Sequence, residues 1–438
     1  MHRILGGTGL SRRDVIKAGI GGAAAALAAS SFAGRARAAA GQKITVLISQ
    51  PQAGGAQIVA DAFKEATGVE TEIVTAPLDQ IQQQLTLDVQ SGAKRFDAFD
   101  FWYVSKGSLV EDGVLLDLTD RIEKDKAEIK PEDYIPSIYD PYSLYNGKRY
   151  ALPFDGDTHA LFYNKEILGR NGVEPPKTWD ELVAAATKIT KAESANGIYG
   201  IAMIGVRAPI LNISIYANRL ANYGGTFLDD QGRSALNSQE ALAAAENLMA
   251  TVPVALPTPA ETGFEQALTA FIGGKAAMTE GWTDLGTYAQ DSKNSQVVDK
   301  WDVVPLPVGG DVQKSRAPLN AGWTMGVAAY SAKQDIAWEF IKLASSAAMG
   351  LKLITTTGSG IDPFRISNLN DPQYAAFNPQ VQRAAASSLN GAVGWPAGPQ
   401  SPRMLEALSE QLASMVAGEV GAADALAQAH RTWERLLG

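Results

Sequence analysis

The chain has 438 residues, with 38 Lys and Arg, 47 Asp and Glu, no Cys and a formal net charge of −9. This length allows about two or three domains, and the 46% hydrophobic and 19% charged content excludes a disordered or fibrous protein. The negative charge offers no basic field for nucleic acid or anionic lipid, and the lack of cysteine excludes disulfides, Cys-ligated zinc, iron–sulfur clusters and a Cys nucleophile.

The first forty residues have the pattern of an export signal. Residues 11–17 contain paired arginines, residues 18–32 form an apolar run of small side chains, and residues 34–40 offer A-x-A cleavage options. This pattern predicts a twin-arginine signal peptide over residues 1–40, which exports a folded protein. A membrane-anchoring helix is the alternative, but the run is shorter than the ~20 residues that span a bilayer. We therefore expect a periplasmic protein.

The expected mature chain is more acidic than the whole sequence. Removal of residues 1–40 takes away six basic residues and one acidic residue, which leaves 32 against 46 and a net charge of −14. A bacterial lipid anchor requires a Cys at the cleavage site, and the sequence has none. We expect the mature protein to diffuse freely in the periplasm.

Strands and helices alternate along the rest of the chain. Apolar, β-branched runs predict strands at 43–48, 69–75 and 96–101, separated by helical patterns at 54–68 and 78–91. This order predicts a mostly parallel sheet covered by helices, with ligands beyond the carboxyl ends of the strands. The loops after Ile48 and Phe99 should therefore face a cleft.

The later elements continue the alternation and end in helices. Thr178 and Glu181 form a predicted capping box at the start of one helix. Further strands are predicted at 160–163, 197–204, 276–278, 301–306 and 324–329, and further helices at 235–252, 264–272, 334–345 and throughout the last forty residues.

Enzyme signatures are missing from the sequence. It contains no G-x-x-x-x-G-K-[ST] and no G-x-S-x-G, and His159 and His430 are far apart. Asp155 and Asp157 suggest a glycosidase or Ca²⁺ pair, but no matching acid or EF-hand spacing accompanies them. We expect no catalytic activity, no cofactor and no bound metal.

Tryptophans next to strand ends are the positive signal for binding. Sugars present flat faces of C–H groups and rims of hydroxyls, which aromatic plates and fixed polar side chains recognise. Trp282 is the best candidate, because Gly281 and Asp284 flank it. Mid-helix tryptophans are expected in the core. The candidate cleft tryptophans are Trp102, Trp282, Trp323 and Trp395.

Short blocks of the chain resemble the motifs of one family. Residues 146–153 with 161–166 resemble "GK-Y-LP … YNK", and residues 176–182 resemble "P-TWDEL". Residues 271–282 resemble "F-GKAAM … GW", and similar matches occur at 320–323, 337–341 and 360–365. The blocks follow the order found in family 1 extracellular solute-binding proteins, the carbohydrate receptors of ABC importers related to maltose-binding protein.

The resemblance implies an α/β, two-lobe periplasmic binding protein fold of type II, with a hinge and central mixed sheets. The N-terminal lobe would comprise residues 43–154 and 322–375. The C-terminal lobe would comprise residues 155–321 and 376–438. Such lobes close on a ligand like a hinge.

The resemblance also implies which residues line the cleft. Asp100 and Asp157 would accept hydroxyl hydrogen bonds, Arg365 would donate them, and Trp282 would stack under a ring. His159 either reaches the cleft or packs in the core. The full expected set is Gln50, Asp100, Trp102 and Arg365 on the first lobe, with Asp155, Asp157, Trp282, Asp284, Asn320, Trp323 and Trp395 on the second lobe or the hinge.

The expected function is that of a monomeric periplasmic receptor. It would capture a sugar, oligosaccharide or polyol and deliver it to an inner-membrane ABC permease, without nucleic acid as a partner. Two alternatives stay open: a receptor for a polyamine or glycerophosphodiester, and a periplasmic polysaccharide-degrading enzyme. A polyamine predicts several cleft carboxylates boxed by aromatics, whereas a phosphorylated ligand predicts more than one cleft arginine.

Overall fold

The computed structural model describes residues 41–156, 158–389 and 392–438. The expected signal peptide, residues 1–40, and the candidate residue Asp157 lie outside the described residues. Within the described ranges, no helix combines the length and the apolar character needed to cross a bilayer.

A five-stranded mixed sheet forms the core of one half of the molecule. Its strand order is β2–β1–β3–β11–β6. β1 is parallel to β2 and β3, whereas β11 is antiparallel to both of its neighbours. Its members are β1 (Lys43–Ser49), β2 (Glu70–Ala76), β3 (Ala98–Trp102), β6 (Leu152–Asp155) and β11 (Trp323–Val327).

A four-stranded mixed sheet forms the core of the other half. Its strand order is β10–β7–β9–β8, in which β8 and β9 are parallel and β7 is antiparallel to β9 and β10. Every residue of β7 and β9 is buried, so these two strands lie at the centre of their layer. Its members are β7 (His159–Asn164), β8 (Tyr199–Ala202), β9 (Ala276–Trp282) and β10 (Trp301–Val304); a short hairpin elsewhere comprises β4 (Leu144–Tyr145) and β5 (Lys148–Arg149).

Helices cover both sheets. The capping box of Thr178 and Glu181 is present, so the expected start of that helix is confirmed. The last two helices pack on each other, and Ser401–Val416 also packs on Pro209–Asn222, whereas Ala422–Leu437 packs on Gln239–Thr251. The α-helices are Ala53–Thr67, Ile81–Gln90, Lys106–Glu111, Thr119–Lys124, Lys126–Ile129, Pro136–Ser143, Lys165–Arg170, Trp179–Glu193, Pro209–Asn222, Gln239–Thr251, Phe264–Ile272, Leu285–Ala289, Gln334–Ala344, Ala347–Ile354, Ile366–Leu369, Pro372–Phe377, Pro379–Ser388, Ser401–Val416 and Ala422–Leu437.

The observed architecture confirms the expected fold class of an α/β protein with mixed sheets. One strand is longer than expected, because β9 runs to Trp282 rather than ending at Met278. Pairing with β7 continues to the His159–Trp282 pair, which keeps the segment extended. At Gly281, a Cβ would lie 2.7 Å from Cδ1 of Leu285, so a glycine allows this strand end to pack closely.

The chain passes between the two sheets at two described places. β6 of the first sheet is followed after a short connection by β7 of the second, and β10 of the second sheet precedes β11 of the first. The exact lobe boundaries remain a prediction.

Candidate functional site

A cavity lies between the two sheets, with about 470 Å³ of free space when its mouth is included. β6 of the first sheet and β9 of the second end at it, and β11 of the first sheet begins there, so its walls come from both halves of the molecule. The lining residues are Pro51, Gln52, Leu78, Asp155, Ile210, Leu211, Phe264, Trp282, Asp284, Ala321, Trp323, Gly360 and Asp362.

Two tryptophans on opposite sheets give the cavity aromatic walls. Trp282 ends β9 and is 8% exposed, and Trp323 begins β11. The rings of His159 and Phe264 stand edge-on to Trp282, with centroids 4.3 and 5.5 Å away. These contacts fix the indole plane, while its Nε1–H has no hydrogen-bond partner among the described residues. The indole therefore has an unused donor at the site.

Three carboxylates also line the cavity. Asp155 ends β6, and it accepts hydrogen bonds from the backbone N–H of Asp362 at 2.7 Å and from Gln52 Nε2 at 3.1 Å. Asp284 follows β9, and its Oδ1 has no hydrogen-bond partner within the described part of the chain. Asp362 accepts a hydrogen bond from the hydroxyl of Thr283. The three side chains come from three separate segments of the chain.

The environment of these carboxylates disfavours their ionised forms. Burial raises the pKa of Asp155 to about 8 and that of Asp284 to about 6. Burial, followed by the charges of Asp284 and Asp155, raises the pKa of Asp362 well above its ordinary value. No Lys, Arg or His is among the described residues that line the cavity. The site thus concentrates acidic groups without a basic protein partner.

A second, larger space adjoins the cavity and shares Leu78 and Ile210 with it. Trp102 lies in its wall, and Arg207 on the opposite half forms an ion pair with Glu406 at 2.8 Å. The described residues include no group of three or more His, Cys, Asp or Glu arranged to hold a metal ion.

The structure brings four of the expected site residues together at the cavity: Asp155, Trp282, Asp284 and Trp323. Asp155 and Trp323 belong to the first sheet rather than to the second lobe or the hinge, because Asp155 ends β6 and Trp323 in β11 pairs with β3 and β6. Trp102 faces the adjoining space instead. Its Nε1 donates to the backbone carbonyl of Asn320 at 3.0 Å.

The structure does not place Arg365 in the cavity, which corrects the expectation that it donates to a ligand. Its side chain is buried, and its guanidinium donates to the carbonyls of Ser345 and Ile129 at 2.8 and 2.9 Å. It also forms an ion pair with Asp133 at 3.3 Å. These partners use its donors, so Arg365 holds the first half of the molecule together.

Four other expected residues also lie outside the wall of the cavity. Gln50 is exposed, and Gln52 lines the cavity instead. Asp100 is fully buried and accepts from the N–H and hydroxyl of Ser49, with burial raising its pKa to about 7. Asn320 is buried, and its Nδ2 donates to Asn218 at 2.9 Å. Trp395 stands edge-on to the Trp102 ring at 5.3 Å and lines a separate surface pocket.

His159 is a packed core residue rather than a wall of the cavity. It is fully buried, and its Nδ1 lies 2.9 Å from Nδ2 of Asn218. Burial lowers its pKa to about 3, so the ring is neutral at physiological pH. Its role at the site is to support Trp282.

Among the polar and aromatic residues that line the cavity, Gln52, Phe264 and Asp362 were not expected from the sequence. Gln52 follows β1 in the loop that was expected to face a cleft, so the strand-end rule points to it as well as to Gln50. Asp362 lies within the block at 360–365, from which only Arg365 was expected to line the cleft. Phe264 is the first residue of a helix, and no motif or strand end near it in the sequence indicates a place in the cleft.

Comparisons with known proteins agree with this geometry. The model of the family described as bacterial extracellular solute-binding protein matches residues 49–350. A probable amino-acid ABC transporter periplasmic-binding protein of Sinorhizobium fredii is 29% identical over 87% of this chain and 84% of its own length. A mannitol-binding protein of Pseudomonas aeruginosa is 24% identical over 68% of this chain and 67% of its own length.

A solved structure supports the same relationship. The ABC transporter solute-binding protein of Agrobacterium radiobacter K84, in complex with ribitol, is 26% identical to this chain with a TM-score of 0.81. The match covers 91% of this chain and 99% of the other.

Proposed function

Because the chain belongs to the family of bacterial extracellular solute-binding proteins, we propose that it is the periplasmic receptor of an ABC importer for a sugar, oligosaccharide or polyol. One observation carries the ligand class: Trp282 and Trp323 wall a cavity between the two sheets that Asp155, Asp284 and Asp362 supply with hydrogen-bond acceptors. Indole faces pack on C–H surfaces, and carboxylates accept from hydroxyl groups.

Two related proteins support this ligand class. One is named for mannitol, and the other was solved with ribitol bound. Both molecules are linear polyols, which present only hydroxyl groups and C–H edges. The cavity of this chain has the two kinds of surface that such molecules need.

Capture follows from the position of the cavity between the sheets. The proposed lobes are residues 43–154 with 322–375 and residues 155–321 with 376–438. A ligand that touches both lobes favours their closed arrangement by its higher affinity for that arrangement. The closed monomer then docks on an inner-membrane ABC permease and releases the solute.

The paired arginines in residues 11–17 support export by the twin-arginine pathway before this capture. Replacement of both Arg12 and Arg13 by Lys should leave the protein in the cytoplasm. The control variant Lys17→Arg, which also exchanges one basic residue for another, should be exported normally. Cell fractionation with immunoblotting measures the result. Export of the double variant would contradict the pathway.

The family is one of receptors, and we assign the protein no catalytic role. A panel of saccharides and polyols should raise the melting temperature, and calorimetry on each positive compound should give an affinity. Native mass spectrometry of the purified protein identifies any ligand carried from the cell. The ligand should be recovered unchanged, and turnover would favour the polysaccharide-degrading alternative.

Two variants connect binding to the cavity. Trp282→Ala should abolish the melting-temperature shift, because it removes an aromatic wall. Trp338→Phe, in the helix Gln334–Ala344 outside the cavity, should retain it. If no saccharide or polyol stabilises the protein, the proposed ligand class fails.

An amino-acid ligand is the second candidate, because the relative from Sinorhizobium fredii carries that name. An amino acid brings a carboxylate as well as an amine. The cavity has no basic side chain among its described lining residues to pair with that carboxylate. The panel should therefore include amino acids, which we expect to bind weakly. It should also include polyamines, because the cavity has the carboxylates and aromatic walls that a polyamine ligand predicts.

A further inference from the structure

The acidic groups of the cavity have no basic partner. Asp155, Asp284 and Asp362 come from both halves of the molecule and line one cavity, and no basic side chain is present among the described lining residues. Burial and the neighbouring carboxylates disfavour the ionised forms of Asp155 and Asp362 in the ligand-free protein. A cation that enters with the ligand offsets this effect and favours ionisation of the three groups.

The hydrogen bonds of the cavity also leave polar groups for a ligand. Ionised carboxylates only accept hydrogen bonds. Asp284 Oδ1 receives none from the described residues, and Asp155 receives its two from Gln52 and the backbone of Asp362. The indole N–H of Trp282, whose side chain is 8% exposed, is also without a partner in the described chain. The site leaves both a buried acceptor and a buried donor for a ligand.

The nature of the cation follows from what surrounds these groups. No three acidic or imidazole groups of the described residues are arranged for a metal ion. Trp282, Trp323 and Phe264 line the same space, and aromatic faces attract alkylammonium groups, which have an apolar stem and a diffuse charge. An ammonium group also has N–H donors to offer to several carboxylates at once. An organic amine matches this wall better than a bare ion does.

We infer that the ligand of this cleft is a polyhydroxylated molecule that carries a protonated amine, such as an amino sugar or an amino alditol. The inference rests on the proposed function, because it assigns the charge of the solute that the same cleft captures. The ammonium lies among Asp155, Asp284 and Asp362, and a hydroxyl oxygen accepts from Trp282 Nε1. A neutral polyol fills the same space but supplies no counter-charge to the carboxyl groups.

Matched ligands that differ in one group provide the test. Calorimetry at neutral pH compares sorbitol with 1-amino-1-deoxysorbitol, and glucose with glucosamine. In at least one pair the amine should bind tighter by a factor of about ten or more, which corresponds to one charge-assisted hydrogen bond in a buried site. The inference is overturned if the neutral partner binds as tightly as the amine in both pairs.

Charge-removing variants locate the effect. Asp284→Asn and Asp362→Asn keep the shape of the side chain and should reduce the preference for the amine by about tenfold. Asp230→Asn, an exposed control with the same change in net charge, should leave the preference intact. A preference that survives both cavity variants would contradict the assigned position of the amine. Where a cavity variant does not fold, the comparison of the ligand pairs on the unaltered protein decides.

The result separates the inference from the function on which it rests. Tight binding of neutral sugars or polyols with no gain from the amine refutes the inference and leaves the proposed function standing. Binding of neither neutral nor aminated compounds, with no other saccharide or polyol active in the panel, refutes both.

Discussion

The hydroxyl of Thr283 donates a hydrogen bond to Oδ1 of Asp362, and this bond joins the two halves of the molecule beside the cavity. Thr283 follows β9 of the second sheet. The loop that carries Asp362 is held to the first half, since Ser359 accepts from Gly55 N–H at 3.0 Å and Phe364 accepts from Ile135 N–H at 3.1 Å. The pair is therefore a direct link between the walls that a ligand must bridge.

Removal of this link should weaken closure. Thr283→Val keeps the side-chain shape but removes the donor, and it should reduce ligand affinity about tenfold, because it leaves a buried oxygen of Asp362 without this hydrogen bond, at a cost of about 1–3 kcal/mol. Calorimetry measures the affinity, and small-angle scattering measures the larger radius expected without ligand. Thr283→Ser retains the hydroxyl and should bind normally. Unchanged affinity in the valine variant would refute the role of this bond.

The buried carboxyl groups should make the ligand-free protein less stable as pH rises. The pKa of Asp155 is about 8 and that of Asp100 about 7 in the folded state, against an ordinary value of 3.8. Between pH 3.8 and these folded-state pKa values, the folded state thus binds more protons than the unfolded state. The free energy of unfolding therefore falls with increasing pH, by up to about 1.4 kcal/mol per pH unit for each group.

His159 has the opposite sign, because its folded pKa of about 3 lies below its ordinary 6.5. Its stabilising contribution is lost as pH falls below 6.5, so it does not act in the range from 6.5 to 8.5. Melting temperatures should therefore decrease across that range, and Asp155→Asn should flatten the slope. A slope that is unchanged in this variant would show that another group controls the transition.

The first passage between the sheets should not tolerate a side chain at Gly156. A Cβ there would lie 1.8 Å from the carbonyl oxygen of Pro363, and backbone cannot move aside as a flexible side chain can. Gly156→Ala should lower the free energy of unfolding by about 1–3 kcal/mol and weaken ligand binding, because the passage must shift away from the loop at 360–365. Urea unfolding and calorimetry measure the two effects.

Gly169→Ala is the matched control. Gly169 lies in the helix Lys165–Arg170, and a Cβ there meets nothing within 4 Å. This variant should be neutral or should stabilise the protein by up to about 1 kcal/mol, since alanine is the better helix former. Equal losses in the two variants would refute the steric explanation for Gly156.

Removal of one partner of a buried ion pair in the second half should destabilise the protein more than removal of one partner of an exposed pair. Arg219 Nη1 lies 2.9 Å from Glu280 Oε1, and both side chains are almost fully buried. Glu280→Gln leaves the guanidinium without its counter-charge and should cost about 3–5 kcal/mol in urea unfolding. Glu123→Gln, which removes an exposed partner of Lys126, should cost less than about 1 kcal/mol. A small loss at Glu280 would contradict this assignment.

Local sequence patterns predicted much of the fold. The apolar run at 43–48 became β1, and Thr178 with Glu181 started a helix, because strand burial and helix capping depend on neighbouring residues. The residues of the site were harder to predict than the strands and helices. Asp362 faces the cavity because distant segments bring its loop there, and no local pattern encodes that approach. Arg365 was misplaced because a motif gives a position in the chain and not the direction of its side chain.

The place of β11 in the first sheet has a consequence for the order in which the protein forms during synthesis. β11 sits between β3 and β6, although it is made long after both. All strands of the second sheet lie between residues 159 and 304, so the ribosome delivers that sheet complete while the first still lacks an inner strand. The first sheet, whose strands begin the chain, is thus completed last. β6 stays unpaired in it until Trp323–Val327 has been synthesised.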